Sequence, residues 1–431
     1  MEKTQQQQNE RQASILALMH REIVPAIGCT EPVAVALCAT KARELLGNVP
    51  EKLTVRLSGN MLKNAMGVGI PGTGMTGLPI AVALGLLVGR SEWQLEVLRD
   101  TTPEAVEQAR RLLDTMQLHI EVADTQETLY VECLAQASAH TGLAVICGSH
   151  TRFVRLEADG KLLLKDDSAA SDNADGSAGE PVLTLREVYD FAMTVPLEDI
   201  AFLREAAEMD LKAAEYSFTH SCGHKLGSML RTEESALFGK TPFTRIIAYT
   251  AGACDARMGG AMVPVMSNSG SGNQGISATV PVVIYGRESK AADDDILRAL
   301  ALSNLTVIYI KQSLGRLSAL CGCVVAATGS ACGITRLMGG GYEEVTYAVK
   351  NMTANITGMI CDGAKPGCAL KVASGVSTAL LSATMAMHHR HTDAGEGIVC
   401  SDVDRCIQNM TTIGREGMQQ TDKLILDIMT R

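Results

Sequence analysis

The sequence has few aromatic residues, no tract of clustered basic residues, and no apolar run long enough to cross a membrane. Trp, Tyr and Phe make up 3% of the 431 residues, so the core must pack through small and aliphatic side chains. The formal net charge of −10 disfavours a protein that neutralises nucleic-acid phosphates. The longest apolar run, "GLPIAVALGLLVG" at 77–89, is too short for a transmembrane helix. We therefore expect a globular protein that binds neither nucleic acid nor a membrane.

The chain also lacks the features of an exported or zinc-binding protein. The first twelve residues are polar and hold no apolar core of a secretory signal, so we expect a cytoplasmic protein. There are 13 cysteines, an odd number in a long chain, which disfavours a disulfide framework. No CxxC pair occurs, which disfavours zinc. Most of these thiols are therefore expected to be small core residues.

Apolar patterning divides the chain into two parts. Residues 1–182 combine helical segments with short alternating segments between 118 and 166 that predict β-strands. The polar segment 168–181 predicts an exposed linker. From about 183 to 431 the periodicity is mostly helical. We therefore predict an α+β fold, with an α+β domain at 1–182 and an all-helical domain at 183–431.

Cys29 stands directly before a predicted helix start in the segment "IGCTEP" (27–32). The positive end of a helix lowers the pKa of a thiol, so Cys29 could act as a base or a nucleophile near neutral pH. A buried small residue in a tight turn explains the same position equally well.

The loop "SNSGSGNQG" (267–275) has the Gly-x-Gly-x-x-Gly spacing of a dinucleotide-binding loop. No βαβ unit surrounds it, and the segment after it does not have the pattern of an amphipathic helix. A polar cradle for a carboxylate, built from backbone N–H groups with Ser and Asn side chains, is the better functional interpretation. A plain turn that uses glycine at positive φ is the alternative.

The segment "AGACDARMGGA" (251–261) contains Asp255 and Arg257. An arginine can hold a carboxylate through two parallel hydrogen bonds. A local ion pair between Asp255 and Arg257 is the alternative.

The loop "MICDGAKPGCAL" (360–371) places Cys361 and Cys368 seven positions apart. Two thiolates on a non-helical loop, with a distant third such as Cys321, can hold an iron–sulfur cluster. Three ligands leave one iron of a four-iron cluster open to substrate. Coincidence in a cysteine-rich chain explains the spacing as well.

Five motifs together resemble the L-cysteine desulfidase family, which is related to the iron–sulfur L-serine dehydratases. The resemblance covers about residues 15–425, and it implies a small serine-dehydratase-like domain followed by a helical, cluster-bearing domain. The motifs, in chain order, are "GCTEP", "GIPGTGMTGLPIAVALG", "SNSGSGNQGISATVP", "LSALCG" and "GMICDGAKPGCALKV".

The resemblance implies a cytoplasmic, [4Fe–4S]-dependent lyase of cysteine catabolism that converts L-cysteine to sulfide, ammonia and pyruvate. It implies Cys29 as the catalytic base. It implies cluster ligation by Cys321, Cys361 and Cys368, although the neighbouring Cys323 leaves the first ligand ambiguous. The residues expected to bind the amino-acid substrate are Thr30, Glu31, Asn60, Lys63, Asn268, Ser269, Ser271 and Asn273.

Two departures from the serine-dehydratase pattern favour the desulfidase. The gap between the last two cysteines is shorter, and the final residues "LILDIMTR" contain no cysteine to fill the open site. An L-serine dehydratase remains an alternative, as does a non-catalytic amino-acid or redox sensor on the same fold. A protein without a cluster, in which every thiol is a core residue, is a third alternative. The Gly/Ala-rich helices lead us to expect a homodimer.

Overall fold

A computed structural model of the chain describes residues 2–166, 181–232, 238–315 and 318–431. It combines an N-terminal region that contains a mixed β-sheet with a largely helical C-terminal part. The predicted α+β fold class is therefore confirmed. The predicted linker lies almost entirely outside the described residues, so the division at residue 182 stays a prediction.

The strands form one large sheet and one small one. The strands are β1 (Pro25–Ile27), β2 (Lys52–Leu57), β3 (Gln117–Val122), β4 (Tyr130–Ala137), β5 (His140–Cys147), β6 (Phe153–Ala158), β7 (Lys161–Lys165) and β8 (Pro264–Met266). The large sheet has the order β3-β2-β4-β5-β6-β7, and β1 pairs with β8. Within the large sheet β2 and β3 are parallel and the other neighbours are antiparallel. The consecutive short strands predicted between 118 and 166 are all present.

Helices cover most of the remaining described chain. They are α1 (Glu2–Glu22), α2 (Thr30–Leu46), α3 (Gly59–Ala65), α4 (Leu78–Leu87), α5 (Pro103–Thr115), α6 (Leu185–Thr194), α7 (Phe202–Thr219), α8 (Leu226–Arg231), α9 (Pro242–Met258), α10 (Gly272–Glu288), α11 (Asp293–Leu314), α12 (Gly322–Leu337), α13 (Tyr342–Ile356), α14 (Cys368–Met387), α15 (Val403–Thr412) and α16 (Gln419–Met429). Local signals set several of their ends. Thr102 accepts a hydrogen bond from the N–H of Ala105 and caps α5, and Thr184 with Glu187 forms a capping box on α6.

The buried side chains form two main cores. The first lies between α2, α4, α5 and the large sheet, and it is built from residues between Val33 and Ile146. The second fills the helical part, and it also includes Ile15, Leu18 and Met19 of α1. The first helix of the chain therefore packs with the C-terminal helices.

The helical core depends on small residues, as the low aromatic content requires. A Cβ on Gly329 of α12 would lie 2.4 Å from the backbone oxygen of Ser303 in α11. A Cβ on Gly333 would lie 2.8 Å from the backbone oxygen of Ala299. These two helices therefore approach each other backbone to backbone.

The segment after the glycine-rich loop differs from the expectation. It is the helix α10, and every residue from Gln274 to Ile284 is buried. A helix enclosed on every side has no polar stripe, so its sequence carries no amphipathic pattern. The strand before the loop, β8, pairs with β1 antiparallel, so no βαβ unit is formed. The dinucleotide-binding interpretation is therefore not supported.

One described helix, α14, is long and apolar enough to cross a membrane by length and composition. Half of its apolar window is buried inside the protein, where it packs against α9, α12 and α13. Core helices of globular proteins have the same properties, so α14 is weak evidence for a membrane span.

The pairing of β1 with β8 joins distant parts of the chain. The N–H of Ser267 donates to the backbone oxygen of Val24 at 2.8 Å, and the N–H of Ser269 donates to that of Glu22 at 3.0 Å. The turn that carries Cys29 therefore lies beside the loop that leads into α10.

Candidate active site

A cavity of about 140 Å³ lies where these two segments meet the helical core. Its wall is formed by the turn before α2, by α3, by the end of α9, by the loop before α10, by the start of α12 and by the loop before α14. The lining residues are Cys29, Glu31, Asn64, Arg257, Ser269, Gly270, Ser271, Asn273, Gln274, Lys311, Ser318, Leu320, Cys321, Gly322, Cys323, Cys361, Gly363, Ala364, Cys368, Lys371 and Val372.

Eight of the twelve residues predicted from the sequence line this cavity. They come from separate segments of the chain, and they are Cys29, Glu31, Ser269, Ser271, Asn273, Cys321, Cys361 and Cys368. The ambiguous residue Cys323 lies on the same wall.

The other four predicted residues do not line the cavity, and three of their side chains have other contacts. Asn268 is buried and donates to the side-chain oxygen of Asn304 at 3.0 Å. Lys63 is buried and forms an ion pair with Asp422. The hydroxyl of Thr30 donates to Glu31 at 3.3 Å. The fourth, Asn60, has a buried Oδ1 without a hydrogen-bond partner among the described residues.

Cys29 is the N-cap residue of α2, as the sequence indicated, but its acidity is opposite to the expectation. Burial raises the pKa of the Cys29 thiol well above its usual value, and the nearby Glu31 raises it further. The charge of Arg257 lowers the pKa but does not compensate. The thiol donates a hydrogen bond to Oε2 of Glu31 at 2.8 Å. Cys29 therefore forms a thiol–carboxylate pair, and the expected lowering of its pKa was wrong.

A short stretch of backbone pairing holds two of the cysteines in place. Leu320 and Ile360 form an antiparallel bridge. The N–H of Cys321 donates to the backbone oxygen of Met359 at 3.0 Å, and that of Cys361 donates to Ala319 at 2.7 Å. Two segments separated by about forty residues therefore present their thiols to one cavity.

The loop from Cys361 to Cys368 docks on the N-terminal region through Gly363. Gly363 has a φ of +89°, and a Cβ there would lie 2.1 Å from the backbone oxygen of Lys63 in α3. On the other side, Lys371 donates to the backbone oxygen of Ile360 at 2.8 Å and pairs with Asp362. The two contacts fix the loop between α3 and α14.

We expect Gly363→Ala to destabilise this loop. The left-handed conformation costs a residue with a Cβ about 1–2 kcal/mol, and the overlap with Lys63 adds to that penalty. The midpoint of thermal unfolding should therefore fall. Gly367→Ala is the matched control, because Gly367 has a φ of −61° and a Cβ there would meet no atom within 4 Å. Equal midpoints for the two variants would contradict the prediction.

The thiols on this wall differ in acidity. A hydrogen bond from the Cys323 side chain lowers the pKa of Cys321 to about 7 despite burial. Burial raises the pKa of Cys361, and it raises the pKa of Cys368 to about 11. Cys323 therefore supports Cys321 as a thiolate.

The donor set fits an iron–sulfur cluster in type. Cys321, Cys361 and Cys368 offer soft sulfur ligands from separate segments, which such clusters select. Within the described ranges, no group of three or more His, Cys, Asp or Glu residues is gathered tightly enough for a single metal ion. A cluster places its thiolates on different iron atoms, so it requires a wider arrangement than one ion does.

Several other lining residues were not among the predicted site residues, and among them Arg257, Gln274 and Lys371 carry polar or charged side chains. Arg257 had been considered as a carboxylate clamp, whereas Gln274 and Lys371 had not been singled out. Gln274 lies in the motif "SNSGSGNQG" and Lys371 in "GMICDGAKPGCALKV". Their position beside residues already predicted for the site is the sequence signal that could have identified them.

The sequence matches one protein family model, and it is similar to other bacterial proteins over nearly its whole length. The family model described as serine dehydratase alpha chain matches residues 92–427. A UPF0597 protein of Phocaeicola vulgatus is 57% identical, over 96% of this chain and 97% of its own length. A UPF0597 protein of Bacteroides thetaiotaomicron is 59% identical, over 96% and 97%. One from Aeromonas hydrophila is 44% identical, over 96% and 95%.

Proposed function

Because the chain belongs to the serine dehydratase alpha-chain family, we propose that it is a lyase that eliminates sulfide from L-cysteine. The family is generally iron–sulfur dependent. The observation that carries the proposal is the composition of one cavity wall, where three cysteines adjoin a thiol–carboxylate pair. That set combines soft metal ligands with a group able to transfer a proton.

Cys321, Cys361 and Cys368 would hold a [4Fe–4S] cluster in this proposal. When bound, such a cluster supplies a Lewis acid that makes the substituent on the substrate's β-carbon a better leaving group. The lowered pKa of Cys321 favours the thiolate form that ligation requires.

Proton transfer is assigned to Cys29 and Glu31. Cys29 takes the proton from the α-carbon of the substrate, while the carboxylate of Glu31 accepts the proton that the thiol already donates to it. The raised pKa of Cys29 makes this partner necessary, because a buried thiol does not ionise readily by itself. The Cys29 thiol is buried, whereas Glu31 is only partly buried.

The reaction balances without a redox partner. Loss of a proton from Cα and of hydrosulfide from Cβ leaves 2-aminoacrylate. This tautomerises to an imine, and water then releases ammonia and leaves pyruvate. L-Cysteine and one water therefore give pyruvate, ammonia and hydrogen sulfide.

An L-serine dehydratase is the second candidate, and the description of the matching family favours it. The two proposals differ only in the leaving group, which is sulfide for L-cysteine and water for L-serine. The same cavity and the same proton-transfer pair serve both.

The deciding experiment uses protein purified without oxygen and assays L-cysteine and L-serine side by side. We expect equimolar sulfide and pyruvate from L-cysteine, with a larger kcat/KM than for L-serine. Pyruvate from L-serine alone would support the dehydratase instead. Binding of either amino acid without any product would contradict both proposals and favour a sensor.

A further inference from the structure

Arg257 is a buried cation that has no ion-pair partner among the described residues. It lies in the last turn of α9, is 4% exposed, and lines the cavity. Its Nη1 donates to the side-chain oxygen of Asn273 at 3.2 Å, whereas its Nε has no hydrogen-bond partner. It forms no ion pair with any residue in the part of the chain that the structure describes.

The nearby acids do not neutralise Arg257. Asp255, the alternative partner from the sequence, accepts hydrogen bonds from the backbone N–H groups of Gly227 and His224 at 3.0 and 3.2 Å. Asp210 attracts Arg257 electrostatically but is not paired with it, and burial raises the pKa of Asp210, which weakens it as a counter-ion. The local ion pair considered from the sequence is therefore absent among the described residues.

The backbone keeps the guanidinium of Arg257 in its position. A Cβ on Gly272, the first residue of α10, would lie 2.3 Å from Nε of Arg257. Only a glycine allows the arginine to lie this close to the helix start. The guanidinium is thus packed against the backbone, and its orientation is restricted.

Gln274 supplies an unsatisfied acceptor on the same wall. It is 4% exposed, and its Nε2 donates weakly to the backbone oxygen of Asn268 at 3.5 Å. Its Oε1 is buried and has no partner among the described residues. A Cβ on Gly322 would lie 3.0 Å from the amide carbon of Gln274, so the start of α12 confines this side chain.

Such groups are unfavourable unless a ligand completes them. An unpaired charge in the interior is strongly unfavourable, and a buried polar atom without a hydrogen bond also destabilises the folded protein. Here an unpaired donor and an unpaired acceptor line one small cavity, and Asn273, which contacts Arg257, directly precedes Gln274 in the chain. A ligand that carries both an anion and a cation would satisfy both.

We propose that Arg257 and Gln274 form the subsite that recognises the main-chain groups of a free α-amino acid. The N–H groups of Arg257 donate to the α-carboxylate, and Oε1 of Gln274 accepts from the α-ammonium group. The inference rests on the proposed function in one respect, because it takes this amino acid to be the substrate. It extends that function by assigning the α-carboxylate to Arg257, which the sequence offered only as one of two alternatives, and the α-ammonium group to Gln274, which the sequence did not single out.

The test measures equilibrium binding of L-alanine to protein purified without oxygen. L-Alanine has both main-chain groups and no β-substituent to eliminate, so binding is measured without turnover. Ethylamine lacks the carboxylate and propionate lacks the ammonium group. Wild-type protein should bind L-alanine about tenfold to a hundredfold more tightly than either fragment, the range expected for charge-assisted hydrogen bonds.

Each variant should lose the preference for L-alanine over one of the two fragments. Arg257→Met should bring the affinity for L-alanine close to that for ethylamine, and Gln274→Leu should reduce its advantage over propionate. Arg245→Met is the matched control, because Arg245 lies on the same helix α9 and pairs with Glu288 outside the cavity. An unchanged L-alanine preference in Arg257→Met would overturn the inference. The carboxylate would then be assigned to Lys311, another cationic residue that lines the cavity.

The melting temperature of Arg257→Met distinguishes a role of Arg257 in ligand binding from a purely structural role. Without ligand, Arg257→Met should melt at or above the wild-type temperature, because it removes a buried unpaired charge. It should also lose the increase in melting temperature that L-alanine gives the wild type. A folded Arg257→Met variant that melts below the wild type and keeps the full increase in melting temperature from L-alanine would overturn the inference. If Arg257→Met does not fold, Arg257→Lys decides, since it keeps the charge and is expected to weaken L-alanine binding about tenfold.

The two proposals fail in different ways. If Arg257→Met loses the preference for L-alanine, and the wild-type protein releases no sulfide or pyruvate from L-cysteine, the subsite is supported and the lyase is rejected. Turnover of L-cysteine with unchanged kinetics and binding in Arg257→Met supports the lyase and rejects the subsite.

Discussion

Replacing Cys361 by serine is expected to remove the iron from the protein and to abolish sulfide release from L-cysteine. A serine hydroxyl is a hard and weakly acidic donor, whereas iron–sulfur clusters require soft thiolates. Wild-type protein purified without oxygen should contain about four irons and four acid-labile sulfides per chain. Metal analysis and sulfide release on the same samples measure both effects.

Cys400→Ser is the matched control for this experiment. Cys400 is partly buried, as Cys361 is, but it lies outside the cavity and accepts a hydrogen bond from Asn409. It should retain both iron and activity. An iron-free Cys361→Ser variant that still releases sulfide would contradict the cluster proposal, and retained iron would contradict the ligand assignment.

Measurements of iron content and sulfide release also decide whether Cys321 or Cys323 is the first cysteine that binds the cluster. Cys321→Ser should lose iron as Cys361→Ser does. Cys323→Ser should retain most of it, because Cys323 acts as the hydrogen-bond donor to Cys321. The reverse result would assign the cluster to Cys323.

Replacing Cys29 by alanine is expected to lower kcat for L-cysteine by about 10²–10⁴-fold, the usual contribution of a positioned general base, without loss of iron. Glu31→Gln should lower kcat in the same direction, because an amide cannot accept the thiol proton from Cys29. Steady-state kinetics and iron content of each variant provide the measurement. The two substitutions combined should cost less than the product of their separate effects, since the residues act as one unit.

Cys38→Ser provides the control for Cys29. Cys38 is also a thiol of α2, but it is buried in the first core and donates to the backbone oxygen of Ala144 at 3.2 Å. A serine can make the same hydrogen bond, so kcat should stay close to the wild-type value. If Cys29→Ala keeps the wild-type kcat, proton transfer belongs to another residue. If it loses iron together with activity, its role is in the integrity of the site.

Local sequence patterns were sufficient to predict most of the helices and strands. The alternating segments between 118 and 166 predicted the strands β3 to β7 of the large sheet, because one face of a strand packs on a core. Thr102 and Pro103 are a local signal for the start of α5, because the N-cap hydrogen bond depends on the side chain at that position. The helix α10 escaped the same reasoning, because burial of its central residues on every side removes the polar face that marks a surface helix.

The sequence by itself determined which chemical groups this protein has available and roughly where each segment begins and ends. The order of the sequence motifs pointed to Cys29, Cys321, Cys361 and Cys368. Only the tertiary structure decided that these thiols share one cavity, that the pKa of Cys29 is raised, and that Arg257 has no acid paired with it among the described residues. The physical reason is that burial and charge partners are set by residues far apart in the chain, as in the contact of Ser267 with Val24. Propensity and spacing report on neighbours along the chain, whereas desolvation and pairing depend on neighbours in space.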